Sequence, residues 1–330
     1  SFGMCEETVP IYAIMIPIFV VAGYDALVGI SAIWFGSCIG TMCSTINPFS
    51  VVIASNAAGI NFMNGFNLRV AALILGTLMC AGYVIVYGSR VKKDPSKSII
   101  LESKPYIDQK FCNSTEIPEL TGRFKVVLVI FFATFGVMIW GVVKQGWWFG
   151  EMTALFLVSA IIIGIILGFN ERELVNEFME GAGEMMGVAL VCGVARSINF
   201  VLDGGMVSDA MLNTMSGWVE GMSPYAFAIV MYLIYIILGF FINSSSGLAV
   251  LSIPIMAPLA DAVGLPREVV ITAYMFGQGT MGFVTPTGLI LVVLELVHVG
   301  YDKYLKFVAP LVAMVVAFSL IFLCIQVAIV

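Results

Sequence analysis

"INSSSGLAVLSIPIMAP", Ile242–Pro258, sets a run of small polar residues between apolar runs of a chain that is 60% hydrophobic. "SFGMCEETVPIYAIMIP", Ser1–Pro17, has the same form. At an offset of 241, Ile14–Pro17 meets Ile255–Pro258, Gly23 meets Gly264, and Phe35-Gly36 meets Phe276-Gly277. Gly40–Met42 meets Gly279–Met281 at 239, and Asn47-Pro48 meets Thr285-Pro286 at 238. Each half therefore reads as polar tip, half-helix, turn, half-helix, polar break, half-helix. Polar backbone at membrane depth is tolerated only where protein buries it or a wet cavity solvates it. Interrupted helices in matching places of two halves point to a binding site at the bilayer midplane.

Composition places that pattern in a membrane. Charged residues make up only 11% of the chain and the mean hydropathy is +1.04, whereas a soluble domain carries about a quarter charged residues. Runs at Val70–Tyr87, Val126–Val143, Met152–Phe169, Tyr225–Ile242 and Phe307–Val330 approach or reach the roughly 20 apolar residues that cross a bilayer core. The fold class expected is an all-α polytopic membrane protein with two re-entrant hairpins and two interrupted helices. A β-barrel would show alternating strands of about ten residues. The net charge of −6 comes without a basic, aromatic-rich patch, so no nucleic acid partner is expected. The 7 cysteines lack CxxC spacing and read as small membrane hydrophobes, and 1 histidine cannot build a His-rich metal site. No metal or cofactor is expected.

Lysine and arginine orient the chain. Of the 15 such residues, Arg90, Lys92, Lys93, Lys97, Lys104, Lys110, Arg123 and Lys125 fall in or beside one segment. Counting spans puts Arg172, Lys303 and Lys306 on the same side, with Arg69, Lys144 and Arg267 opposite. The positive-inside rule makes loop 90–123 cytoplasmic and the C-terminus external, in a cell membrane. The first tip then enters from the cytoplasm and the second from outside, which makes the repeat inverted. Three parts follow: 1–89, the later part of the first repeat; 90–123, a linker; and 124–330, the second repeat. The second half has about 120 residues ahead of its tip, counted from Phe124, and symmetry leads us to expect a similar length ahead of Ser1.

The quoted motifs also carry a resemblance. "GMCEETVPIY", "STINPFSVVIASNAAGI", "KKDPSKS", "NSSSGLAVLSIPIMAPLAD" and "VTPTGLI…YDKYLKF" resemble the YfcC-type transporters. These belong to the C4-dicarboxylate carrier (DcuC-like) group of the ion transporter superfamily. The resemblance implies a scaffold domain, a transport domain with two re-entrant hairpins, a homodimer and an elevator-like movement. Members of the group are described both as C4-dicarboxylate carriers and as basic amino-acid or arginine/ornithine antiporters.

The candidate binding residues lie at the tips and breaks. Asn243, Ser244, Ser245, Ser246 and Gly247 supply an amide, hydroxyls and unpaired backbone groups. The helix that follows aims its N-terminal dipole at the tip, which favours a carboxylate. Ser44, Thr45 and Asn47 before Pro48, and Thr285 and Thr287 beside Pro286 and Gly288, form breaks whose freed carbonyls could hold Na⁺ or substrate. Close helix packing through small residues is the competing reading. The first tip adds Ser1, Glu6 and Glu7. Glu6 and Glu7 align with Gly247 and Leu248, so the repeat does not require them. An acid at membrane depth is costly unless paired or hydrated. The pair reads as a counter-charge for a cationic group, as a site for a coupling H⁺, or as a cap on the following half-helix. Arg196 reads either as a bidentate partner for a substrate carboxylate or as an interfacial residue paired with Asp203.

These residues point to a secondary active transporter of a small metabolite, coupled to Na⁺ or H⁺. An amino acid is the first choice, with basic ones favoured, and a C4-dicarboxylate is the second. A membrane enzyme is disfavoured because HExxH, GxSxG and paired-Asp motifs are missing. A passive channel is the third reading.

Overall fold

Gly23 and Gly264 each turn the chain between two helices in a left-handed backbone conformation, φ 88° and φ 74°, which glycine adopts at little cost. The computed structural model describes residues 8–111, 121–145, 147, 149–207, 210, 213–214, 217 and 221–330. Among the described residues all regular structure is helical. The first half runs α1 (Val9–Val21), α2 (Ala26–Met42), a π-helical turn (Pro48–Val52), α3 (Ile53–Ala58) and α4 (Phe66–Lys93). Short 3₁₀ turns at Pro95–Lys97 and Leu101–Ser103 lead to α5 (Lys104–Phe111). Next come α6 (Gly122–Gln145), α7 (Phe149–Leu167) and α8 (Glu171–Gly204). The second half continues with α9 (Pro224–Phe241), α10 (Ser245–Ala262), α11 (Glu268–Gly282), α12 (Ile290–Glu295) and α13 (Tyr301–Ile329).

Among the described residues five helices are long and apolar enough to cross a membrane: α4, residues 150–167 of α7, α9, α10 and α13. The chain is thus a multi-pass helical membrane protein. The sequence places a half-helix after the second tip, starting near Leu248. α10 instead starts at Ser245 and has 18 residues, about 27 Å at 1.5 Å per residue. Ser244 caps it, its hydroxyl accepting the Gly247 N–H at 3.1 Å, which begins the helix earlier than the apolar run does. The acidic stretch from Glu171 and the apolar run that follows it form one helix, α8, of 34 residues.

By packing, the chain forms two units, Ser1–Asn113 with Val188–Val330, and Ser114–Gly187. In the smaller unit α6 lies along α7. Thr134 donates to the Ile130 carbonyl at 2.8 Å and pairs with Ser159 at 2.9 Å, so both hydroxyls are satisfied among apolar neighbours.

In the larger unit α11 is the central element. Every residue from Val269 to Thr280 is buried, and α9, α2, α10 and α13 all pack against it. Glycines permit the closest crossings. A Cβ on Gly277 would meet the Tyr235 Cβ at 2.5 Å, and one on Gly279 would meet the Met42 Cβ at 2.5 Å. At one end of the unit the segment after α4 is tied to both halves. Tyr87 and Ser98 hydroxyls donate to Asp25 at 2.6 and 2.8 Å. Ser103 donates to the His298 carbonyl, Tyr106 lies against the His298 ring, and Lys303 pairs with Glu102. The hydrogen bond from Lys303, with its charge, lowers the Glu102 pKa. At the other end Arg267 donates to the Ala58 carbonyl at 2.7 Å, and buried Arg69 donates to the Asn64 and Phe62 carbonyls. The cations Lys92, Lys97 and Lys303 therefore gather at one end of the unit, and Arg69 and Arg267 at the other.

Candidate functional site

α9 ends at Phe241 and α10 begins at Ser245, leaving Ile242, Asn243 and Ser244 as the link between them. This tip reaches the break between α11 and α12. Asn243 Nδ2 donates to the Thr287 carbonyl at 3.1 Å, and the Thr285 and Thr287 hydroxyls pair at 2.9 Å. A Cβ on Gly288 would lie 3.2 Å from Thr285 Cγ2 and 3.8 Å from Asn243 Nδ2, so Gly288 lets the tip and the break approach closely. Pro286, lacking an N–H and fixed in φ, keeps the helix interrupted.

Side chains that the sequence did not single out hold this arrangement. Tyr274 and Gln278 stand one turn apart on α11. Tyr274 donates to the Ser245 carbonyl at 2.7 Å, while Gln278 Nε2 lies 3.4 Å from the Asn243 carbonyl and 3.3 Å from Ser245 Oγ. The break carbonyls are occupied too. Phe283 accepts from Tyr304 at 2.7 Å, Val284 from Tyr301, Thr285 from the Gly288 N–H and Thr287 from Asn243. Of the carbonyls in this break, those of Thr285 and Thr287 thus each carry a protein donor, and the two threonine hydroxyls, paired with each other, keep one proton between them to give elsewhere. The sequence signal for this is the spacing of the tyrosines in "YDKYLKF", three residues apart on one helix face, from which Tyr301 and Tyr304 reach the Val284 and Phe283 carbonyls.

The break after α2 follows the same logic. Ser44, Thr45 and Asn47 are buried. Ser44 Oγ accepts the Asn47 N–H at 3.0 Å, and Asn47 Oδ1 accepts the Phe49 N–H at 2.8 Å, starting the next half-helix. That half-helix opens as a π turn at Pro48–Val52, a geometry frequent at functional sites. The buried Ser50 hydroxyl in this turn has no hydrogen-bond partner among the described residues. The π turn and α3 pack along α10, and Cys38 Sγ donates to the Gly282 carbonyl at 3.6 Å, so the two interrupted helices meet directly.

Ser1, Glu6 and Glu7 lie outside the described residues. The backbone of Arg196 belongs to α8, and its side chain lies outside the described set. Ser246 and Gly247 stand in the first turn of α10. Among the described residues no group of three or more His, Cys, Asp or Glu side chains is placed to hold a metal.

The family profile of the C4-dicarboxylate anaerobic carriers (DcuC) matches residues 1–328. The chain belongs to this family. The family is described as one of carriers. An uncharacterized protein of Haemophilus influenzae is 45% identical over 329 residues, covering 98% of this chain and 64% of that protein. The Escherichia coli protein described as "Putative basic amino acid antiporter YfcC" is 32% identical over 330 residues, covering 96% of this chain and 65% of its own length. The chain thus spans just under two thirds of both relatives. Among solved structures, the Neisseria gonorrhoeae antimetabolite efflux pump MtrF is similar at a TM-score of 0.47 and 17% identity, over 95% of this chain and 69% of the pump.

Proposed function

We propose that the protein is a secondary active transporter of a small carboxylate-bearing metabolite, which binds where the outer tip meets the outer break. The observation that carries this reading is the joined pair of hydroxyl-rich elements, Asn243–Gly247 and Thr285–Thr287, linked by the Asn243–Thr287 hydrogen bond. A capped tip that opens α10 adds backbone N–H groups and a helix dipole favourable to anions.

The architecture we propose is an inverted repeat, in which α1, α2, α3 and α4 correspond to α10, α11, α12 and α13. The matched left-handed glycines Gly23 and Gly264 support it, as do breaks after α2 and α11. α10 is about 27 Å long and leads from the Arg267 end to a tip hydrogen-bonded at the break, which supports a tip within the membrane thickness. In this reading hairpins and interrupted helices move together as an elevator, in a homodimer. Loop 90–123 faces the cytoplasm, the C-terminus lies outside, and the coupling ion is Na⁺ or H⁺.

Basic amino acids are the first substrate class, on the strength of Glu6 and Glu7 and of the name given to the Escherichia coli relative. C4-dicarboxylates are the second, favoured by the family description and by the hydroxyl-rich tip. Counterflow in proteoliposomes with labelled arginine, ornithine, a neutral amino acid and succinate decides between them. Saturable exchange of arginine without succinate supports the first, and the reverse supports the second. Conductive flux without exchange overturns secondary transport.

A further inference from the structure

Gln278 sits where α9 and α11 cross most closely. It is only 8% exposed, and a Cβ on Gly239 of α9 would lie 2.9 Å from its Cα. The neighbouring Gly277 is pressed against Tyr235 in the same way. With α9 closing that side, the Gln278 side chain extends to the outer tip. There its Nε2 is shared between the Asn243 carbonyl at 3.4 Å and Ser245 Oγ at 3.3 Å. Both distances lie just beyond the usual range for an N–H donor, about 2.7–3.2 Å, as expected of one amide that serves two acceptors.

The consequence lies in where the protons are. A serine hydroxyl has one proton to give and lone pairs to receive. Ser245 Oγ receives from Gln278, and Ser244 Oγ receives from the Gly247 N–H at 3.1 Å. With an acceptor position used by the protein, each hydroxyl keeps its proton to donate. Asn243 commits one Nδ2 proton to Thr287 and its main-chain carbonyl to Gln278. The tip is thereby biased to give hydrogen bonds, the polarity that suits a carboxylate.

We propose that Gln278 sets this polarity: it is a positioning residue that holds Ser245 as a donor, so that the tip selects a carboxylate group. The proposal rests on the outer tip being the substrate site. The titratable groups beside Gln278 include Tyr274 on α11, Tyr232 and Tyr235 on α9, Tyr304 on α13 and Cys38 on α2, all uncharged at neutral pH at their ordinary pKa values. Glu268, the charged group of α11, opens that helix ten residues from Gln278, about 15 Å along its axis.

The test compares Gln278→Met, Gln278→Glu and Ser245→Ala with the wild type. It uses counterflow of labelled arginine and labelled succinate with equal pH on both sides of the membrane. Gln278→Met keeps the length and loses the donor, so KM should rise several-fold, about 3–10-fold, with Vmax retained. Gln278→Glu at neutral pH accepts from Ser245 and adds a negative charge, so KM should rise by more than about tenfold. When the pH is lowered through the new carboxylate's titration, the acid regains one O–H donor. KM should then fall back towards wild type, a recovery that wild type and Gln278→Met do not show. Unchanged KM in both Gln278 variants while Ser245→Ala raises it overturns the proposal and leaves Gln278 a packing residue. Unchanged KM in all three overturns the substrate site itself. Where Gln278→Glu does not fold, Gln278→Met alone decides, since an unchanged KM in it contradicts a donor role.

Discussion

The side-chain amide of Asn243 donates to the main-chain carbonyl of Thr287 across 3.1 Å, tying the link between two helices to the break in a third. Asn243→Ala leaves that carbonyl without its donor and frees the tip. Losing one partner of a buried hydrogen bond costs about 1–3 kcal/mol, so KM in counterflow should rise between about fivefold and a hundredfold. Asn243→Asp, which points an acceptor at the carbonyl, should raise it at least as far. Wild-type KM in both variants at equal expression would show that the link has no part in binding.

Gly277 and Gly36 occupy corresponding places in the two halves, but their surroundings differ. A Cβ at Gly277 would lie 2.5 Å from Tyr235 Cβ and 2.8 Å from the Tyr232 carbonyl, whereas one at Gly36 would meet nothing within 4 Å. Gly277→Ala should therefore destabilise the protein by about 1–3 kcal/mol through overpacking. Gly36→Ala should be neutral or slightly stabilising, because it replaces glycine within a helix. Thermal unfolding in detergent gives both values, and equal effects would contradict the close α9–α11 crossing.

Asp25 caps α2 by accepting the Val28 N–H at 3.2 Å and receives the hydroxyls of Tyr87 and Ser98. Burial raises its pKa, and the hydrogen bonds from Tyr87 and Ser98 oppose that rise without cancelling it. A carboxyl whose folded pKa is raised adds stability that is fully present below its unfolded value, about 3.9. That contribution is lost as pH rises through the folded pKa. Asp25→Asn keeps an acceptor for the cap and removes the charge. It should match or exceed wild type in unfolding temperature at neutral pH, with the difference closing as pH falls. Asp25→Ala loses cap and tether together and should cost about 0.5–2 kcal/mol for the cap alone at either pH. A wild-type advantage over Asp25→Asn that grows towards neutral pH would contradict the raised pKa.

Much of the framework was legible in the residues. The polar runs at Ser44–Pro48 and Val284–Gly288 fall within a residue or two of the helix ends at Met42 and Gly282. Gly23 and Gly264 mark turns because each adopts a conformation that other residues avoid. The supports of the tip were hidden for a physical reason. α11 is buried all round, so no polar stripe distinguishes Tyr274 and Gln278 from residues that merely fill space. Tyr301 and Tyr304 reach carbonyls about seventeen and twenty-one positions back in the chain, a pairing set by the turn between α12 and α13. The start of α10 was misread because hydropathy weighs Ser245–Gly247 as polar link, whereas the Ser244 cap makes them the first helical turn.

Orientation is testable at both ends of the larger unit. Ser96 lies at the end that carries Lys92 and Lys97, and Met63, 50% exposed, lies in the turn beside Arg69. In a background without other reactive thiols, Ser96→Cys should resist an impermeant thiol reagent on intact cells, and Met63→Cys should react. The opposite pattern would invert the protein in the membrane and exchange the sides from which the two tips are reached.

The central claim is that substrate binds at the outer tip, and occupancy of that tip can be measured directly. Ser246 stands in the first turn of α10, between the hydroxyl of Ser245 and the glycine that Ser244 caps. Ser246→Cys, in the native transporter freed of its other reactive thiols, gives a label at the site. The rate of its reaction with a small impermeant thiol reagent is measured with and without the substrate identified by counterflow, beside Met63→Cys as a control at the surface. The account predicts that saturating substrate slows labelling at position 246 by about tenfold or more, with half-protection at the transport KM, while labelling at position 63 is unaffected. An unchanged rate at position 246 under saturating substrate, in a variant that still transports, would contradict it.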